Sequence, residues 1–166
     1  MRHGYAPAGV VLVQTMTSLL HELGELAAAF DDAGIDFALC GGLAMAAHGF
    51  VRATMDVDFL IREESLDEAY RVAGEKGFDI RGLDISFKER AVEIRRISKI
   101  LGEDILSLDL LIVTPQVEDV WASRIQLDFM GHKLSVISRE GLIKMKTLAG
   151  RPQDLVDIER LKNEED

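Results

Sequence analysis

The sequence is poor in cysteine and in positive charge, and it has no apolar run long enough to cross a membrane. Its single cysteine, Cys40, rules out an intrachain disulfide and fits a reducing cytoplasm. Cys40 sits in an apolar stretch, so it reads as a small buried hydrophobe rather than a reactive thiol. The apolar run Ala8 to Val13 is too short for a signal peptide and lacks the charged flank and cleavage site of one, so a cytoplasmic protein is expected. The 29 acidic side chains outnumber the 19 basic ones and leave a net charge of −10. Extended nucleic-acid binding is disfavoured on that ground, because neutralising many phosphates calls for a basic excess. The local patch of Lys88, Arg90, Arg95 and Arg96 reads as a solvated surface. What remains is an ordinary globular composition, and 166 residues suit one domain over 1–166 with a core that needs no staple.

The chemistry concentrates between Leu39 and Ile61, LCGGLAMAAHGFVRATMDVDFLI. An apolar run meets the pair Gly41-Gly42, a helix-like segment follows to His48-Gly49, and a second apolar run carries Asp56 and Asp58. Side chains alternate along a strand, so Asp56 and Asp58 share a face at roughly 7 Å and can share a cation. Val57, Phe59 and Ile61 take the other face and anchor the strand in a core. The glycine pair lets the backbone turn tightly and approach a ligand, and the helix behind it would turn its N–H groups toward a phosphate.

Gly41-Gly42, His48-Gly49 and Arg52-x-Thr54-x-Asp56-x-Asp58 together resemble the active-site core of the nucleotidyltransferase superfamily. The likeness is to its small bacterial group, which includes abortive-infection toxin nucleotidyltransferases and aminoglycoside- or lincosamide-type transferases. Many members carry Gly-Ser where this chain has Gly41-Gly42, so backbone N–H groups must replace a serine hydroxyl at the triphosphate. The resemblance implies an α/β (α+β) fold, a mixed β-sheet flanked by helices with a C-terminal helical pair. It also implies transfer of a nucleoside monophosphate from a nucleoside triphosphate, and a role in a toxin–antitoxin system. His48 and Thr54 are accessory candidates. His48 either orients a ligand or caps and packs; Thr54 reads as support for the strand edge. Arg52 bridges phosphates or pairs with Asp56 or Asp58.

Residues 1–14 read as a loose arm. From Thr15, the apolar positions Met16, Leu19, Leu20, Leu23, Leu26, Ala27 and Phe30 give an amphipathic helix ending near Gly34. A strand is expected over 35–40. Ser65 and Glu68 suggest a capping box for the next helix. Strands follow at 78–81 and 91–97, with a mixed segment over 82–90 between them. Pro115 ends a later strand, Val117 to Ala122 is a short helix, and a hairpin over 126–137 turns at Gly131-His132. The last segment, 138–166, reads as two helices, with Pro152 at the first position of the second and an apolar stripe of Leu155, Ile158 and Leu161.

Asp104 to Val113 is the second stretch with chemistry in it. Asp109 lies in the middle of this apolar strand, and burying a lone carboxylate costs several kcal/mol unless it has a partner. An exposed edge strand or a structural salt bridge would explain it. The resemblance implies a third reading, in which Asp109 completes a carboxylate triad with Asp56 and Asp58. It likewise implies that Lys146 lies near the nucleotide phosphates, against the simpler reading of a snorkelling surface lysine. Asp154 and Asp157 read as capping or as partners of Arg151.

A triphosphate and three carboxylates repel each other unless cations intervene. Magnesium takes oxygen ligands at about 2.1 Å, and two ions about 3.5–4 Å apart can clamp the attacking and leaving oxygens. Asp56, Asp58 and Asp109 are the expected ligands of two Mg2+ ions, with Mn2+ as the alternative. Gly41, Gly42, Arg52 and Lys146 are the expected phosphate contacts. The acceptor is a hydroxyl of a protein, an RNA end such as that of tRNA, or a small molecule; no membrane partner is expected, and the oligomeric state is left open. A catalytically degenerate binding module and a metal-independent scaffold are the competing readings.

Overall fold

The structure is a computed structural model that describes residues 7–51 and 53–164, apart from the side chains of residues 11–15. Helix α1 (Ala8–Asp32) opens the chain. Leu19, Leu23, Leu26, Ala27 and Phe30 are buried at helical spacing, and this face rather than intrinsic propensity holds the helix. The loose arm expected over 1–14 is thus helical from residue 8 onward, while residues 1–6 lie outside the described set. Pro7 sets the start, and once packing nucleates the later turns the apolar run behind it simply extends them. Gly34, at φ +71°, supplies the left-handed residue that ends the helix.

The chain continues through β1 (Phe37–Cys40), α2 (Gly41–Ala47), β2 (Asp56–Ile61), α3 (Leu66–Glu75), β3 (Ile80–Arg81), β4 (Ile85–Phe87), β5 (Val92–Leu101) and β6 (Asp104–Ile112). It finishes with α4 (Glu118–Ala122), β7 (Ile125–Phe129), β8 (His132–Val136), α5 (Arg139–Ala149) and α6 (Pro152–Asn163). The strands form one mixed sheet in the order β3-β5-β6-β2-β1-β8-β7, with β4 also paired to β5. β2 runs antiparallel to β1 and parallel to β6, so the centre of the sheet is where direction changes. One face of β2, with Val57, Phe59 and Ile61, is fully buried. Phe59 stacks on Phe37 at 4.4 Å and meets Phe30 of α1 edge-on at 5.2 Å. This aromatic knot fixes β1 and β2 against α1 and turns Asp56 and Asp58 to the other face. No helix among the described residues is long and apolar enough to cross a membrane.

Several local expectations change. Ser65 does not cap α3: it has helical backbone angles at the end of a 3-10 turn, Glu63–Ser65, whereas a capping serine needs extended ones. Glu68 instead pairs with Arg71, whose Nε donates to it at 3.0 Å. The strand expected over 78–81 shortens to Ile80–Arg81 because Phe78 plugs the core, and the segment over 82–90 contains β4. The β7–β8 turn is Met130-Gly131, both at positive φ as a two-residue hairpin requires, and His132 already begins β8. Leu155 is 58% exposed. The inward face of α6 is Asp154, Asp157, Ile158 and Leu161, for a reason found in the site.

Candidate active site

Four strands contribute one rung. Cys40 of β1 is paired with Asp58 of β2, Asp58 with Asp109 of β6, and Asp109 with Arg96 of β5. Directly paired residues point to the same face of a sheet, so a thiol, two carboxylates and a guanidinium stand in a row. Asp56 joins them from two positions earlier on β2. All of these line a cavity of about 460 Å³, together with Gly41, Gly42, Thr54, Lys146, Arg151 and Asp154. A second wall of this cavity is apolar and comes from Ile85, Phe87, Val92, Ile94 and Leu111.

Asp109 is buried, and Arg96 grips it in a fork: Nε donates to Oδ1 at 2.7 Å and Nη2 to Oδ2 at 2.8 Å. The salt-bridge reading of Asp109 is therefore realised, and its strand lies beside β2 with Asp109 paired to Asp58. Arg96 also stands 3.8 Å from Asp56. Asp58 has no hydrogen bond or ion pair among the described residues. Burial, then the charges of Asp109 and Asp56, push its carboxyl up to about 8. Asp56 is raised by burial and then by the charge of Asp109, and at both carboxyls Arg96 and Arg151 pull the other way. The Cys40 thiol is held well above its ordinary value by burial and by Asp58, so it is inert.

The glycine pair is dictated by its neighbours. Gly41 has φ +66°, and a Cβ there would fall 2.1 Å from Asp58 Oδ2. At Gly42 a Cβ would meet Thr54 Cβ at 3.0 Å and Thr54 Oγ1 at 3.1 Å. Thr54 thus occupies the space a serine side chain would take, and its hydroxyl also accepts from Asp56 N at 3.4 Å.

Lys146 is not a snorkelling surface residue. It is 5% exposed, and its Nζ donates to Asp157 at 2.7 Å and stands 3.7 Å from Asp154. Asp154 caps α6 by accepting from Arg151 N at 3.1 Å and Arg151 Nε at 2.8 Å. Burial opposes ionisation of Asp154, yet these bonds prevail and its carboxyl lies below the usual range. Asp157 pairs with Lys146 and Gln153 rather than with Arg151. These buried charges explain why α6 turns two aspartates inward. His48 sits away from the lining: its Nε2 donates to the Ile137 carbonyl at 2.8 Å and ties the end of α2 to the chain just past β8. Arg52, expected at the phosphates, lies outside the described residues.

A model of the family described as "Nucleotidyl transferase AbiEii toxin, Type IV TA system" matches residues 26–166. The chain belongs to the AbiEii nucleotidyltransferase toxin family. No curated protein matches it by sequence. Among solved structures, it is similar to TM1012 of Thermotoga maritima, assigned there as a nucleotidyltransferase, with TM-score 0.61, 16% identity, and 90% of this chain and 95% of that one covered. It is also similar to ANT(2″)-Ia, solved in complex with adenylyl-2″-tobramycin, with TM-score 0.59, 16% identity and 87% of each chain covered. JHP933 of Helicobacter pylori matches with TM-score 0.55, 16% identity, and 91% of this chain and 67% of that one covered. At such identities the likeness establishes the nucleotidyltransferase fold.

Two cavity residues of this AbiEii-family chain escape a reading of the sequence. Arg96 belongs to the site, not to a solvated patch; Lys88 and Arg90 are exposed as expected, and Arg95 is bonded to Glu93 at 3.1 Å. A signal for Arg96 exists. β5 and β6 are joined by the two-residue turn Gly102-Glu103, and five steps outward from Leu101 and Asp104 bring Arg96 opposite Asp109. Arg151 was considered only as a partner for the aspartates, yet it too lines the cavity.

The donors present suit a hard divalent cation, since they are carboxylate oxygens. Two of them have raised pKa values that a cation would relieve. Among the described residues, however, no three ligand-type side chains are disposed to hold an ion, and both oxygens of Asp109 are taken by the Arg96 fork.

Proposed function

We propose that this AbiEii-family chain is a magnesium-dependent nucleotidyltransferase that moves a nucleoside monophosphate from a nucleoside triphosphate to a hydroxyl acceptor, as the toxin of a toxin–antitoxin pair. The observation that carries this reading is the rung that sets Asp58 beside Asp109, with Asp56 on the same face and Gly41 packed directly against Asp58. Asp56, Asp58 and Asp109 would hold two Mg2+ ions, or Mn2+ in their place, which neutralise the phosphates and polarise the reacting oxygens. Gly41 and Gly42 cradle the β- and γ-phosphates with their backbone N–H groups. Lys146 and Arg151 add positive charge along the same wall. Asp109 either binds the second ion or takes the proton of the acceptor hydroxyl; the acceptor oxygen bonds to the α-phosphorus as the bond to the bridging oxygen breaks, and pyrophosphate departs. The apolar wall of Ile85, Phe87 and Ile94 receives the nucleobase. A location in the cytoplasm fits a lone cysteine buried as a thiol.

Incubation with each labelled triphosphate and Mg2+ tests the reading. Release of pyrophosphate or labelling of an acceptor is expected, with loss of at least about a hundredfold in Asp58→Ala, in keeping with removal of a principal charge-stabilising group. Turnover undiminished in that variant would sink it. The ion pair between Arg96 and Asp109 favours one competing reading, a module that binds nucleotide or a partner without transfer. Nucleotide binding with no pyrophosphate under any condition would be its signature.

A further inference from the structure

We propose that Arg96 is a built-in counter-ion that competes with the divalent cation for Asp109, so that guanidinium and metal take the same carboxylate in turn. The inference rests on the metal-dependent reading above and adds to it a residue and an order of events. Both oxygens of Asp109 are occupied by the Arg96 fork at 2.7 and 2.8 Å. A positive charge held that close repels a divalent ion from the same group. The second carboxylate in reach of the guanidinium is Asp56, at 3.8 Å, so Arg96 spans the two acids that flank Asp58.

The two partners differ in freedom. The Asp109 side chain is 8% exposed and fixed in the middle of β6, whereas that of Arg96 is 41% exposed on the cavity wall. Arg96 is the partner able to leave. Its withdrawal would uncover Asp109 beside Asp58 and free both carboxylate oxygens for a cation. Before that, the guanidinium offsets the mutual repulsion of the three carboxylates and keeps the rung assembled without metal. Arg96 is accordingly a positioning residue, acting through Asp109.

Calorimetric titration of the nucleotide-free protein with Mn2+ tests this, using wild type, Arg96→Met and Arg96→Lys. Coupling of this kind predicts about tenfold tighter Mn2+ binding in Arg96→Met. Arg96→Lys should fall between the two, because an ammonium keeps the charge but cannot occupy both oxygens in a fork. Thermal unfolding of metal-free Arg96→Met should come at a lower temperature than that of wild type, and saturating Mn2+ should close the gap. Equal or weaker Mn2+ binding in Arg96→Met overturns the proposal, as does an Arg96→Lys protein indistinguishable from wild type. The outcomes separate from those of the function itself: equal Mn2+ affinities with turnover abolished in Asp58→Ala remove the competition and leave the transferase. Absence of Mn2+ binding in all three proteins removes both.

Discussion

Asp58 is the side chain on which the most depends at the residue scale. Its carboxyl, pushed up to about 8 by burial and by two neighbouring acids, is largely protonated at neutral pH when no cation is present. In the unfolded chain it would titrate near 3.9. Between those values the native state holds more protons than the unfolded state, so stability is greatest below about 4 from this group and is lost as pH rises through about 8. Asp56 is shifted in the same direction and adds to the trend. Thermal unfolding of metal-free protein should therefore move to lower temperature between about pH 5 and pH 9. Asp58→Asn, which mimics the neutral form, should flatten that profile and raise the midpoint at pH 8. A midpoint that rises with pH over this range would contradict the electrostatics described here. Much of this was legible in the residues themselves: alternation alone puts Asp56 and Asp58 on one face. Their neighbours were not legible, because Gly41 and Thr54 are matched to Asp58 and Gly42 through space.

At the scale of elements, the helical pair at the end of the chain behaves as a charged clamp. Lys146 of α5 projects its ammonium among Asp154 and Asp157 of α6, and all three are almost completely buried. The apolar contacts of α6 are thin, since Leu155 and Val156 face solvent. The clamp therefore carries an unusual share of the docking. Lys146→Met should cost about 3–5 kcal/mol in a urea titration, because it removes the ammonium bonded to the buried Asp157 carboxylate, while Asp154 keeps Arg151. A loss under about 1 kcal/mol would show that the helices dock without it. The sequence marks both helices by Ser138, Gly150 and Pro152 but misplaces the inward face of α6. An apolar stripe was the natural expectation, and the lysine that overrides it lies on another helix.

For the whole molecule, charge and shape act together. The net charge of −10 disfavours tracking along a polyanion, and the cavity concentrates four carboxylates against three cations at its lining. Binding to long single- or double-stranded RNA at about 150 mM salt should be weaker than about 10 μM, outside the usual range of specific complexes. Fluorescence anisotropy checks this; submicromolar binding with a steep salt dependence would contradict the expectation drawn from the net charge of −10. An RNA end as acceptor remains compatible, since a terminus entering the cavity needs few phosphate contacts.

By itself the sequence determined the carboxylate strand, the glycine bend before it, the two closing helices and, through the ordered motif, the family. These are local: each follows from alternation, caps or breakers within a few residues. The tertiary structure alone decided that Asp109 stands beside Asp58 and in the grip of Arg96. It alone turned Lys146 inward onto α6 and closed the cavity with β4 and β5. Those facts depend on the pairing of strands distant in sequence and on charges that select their partners only once burial has removed the water.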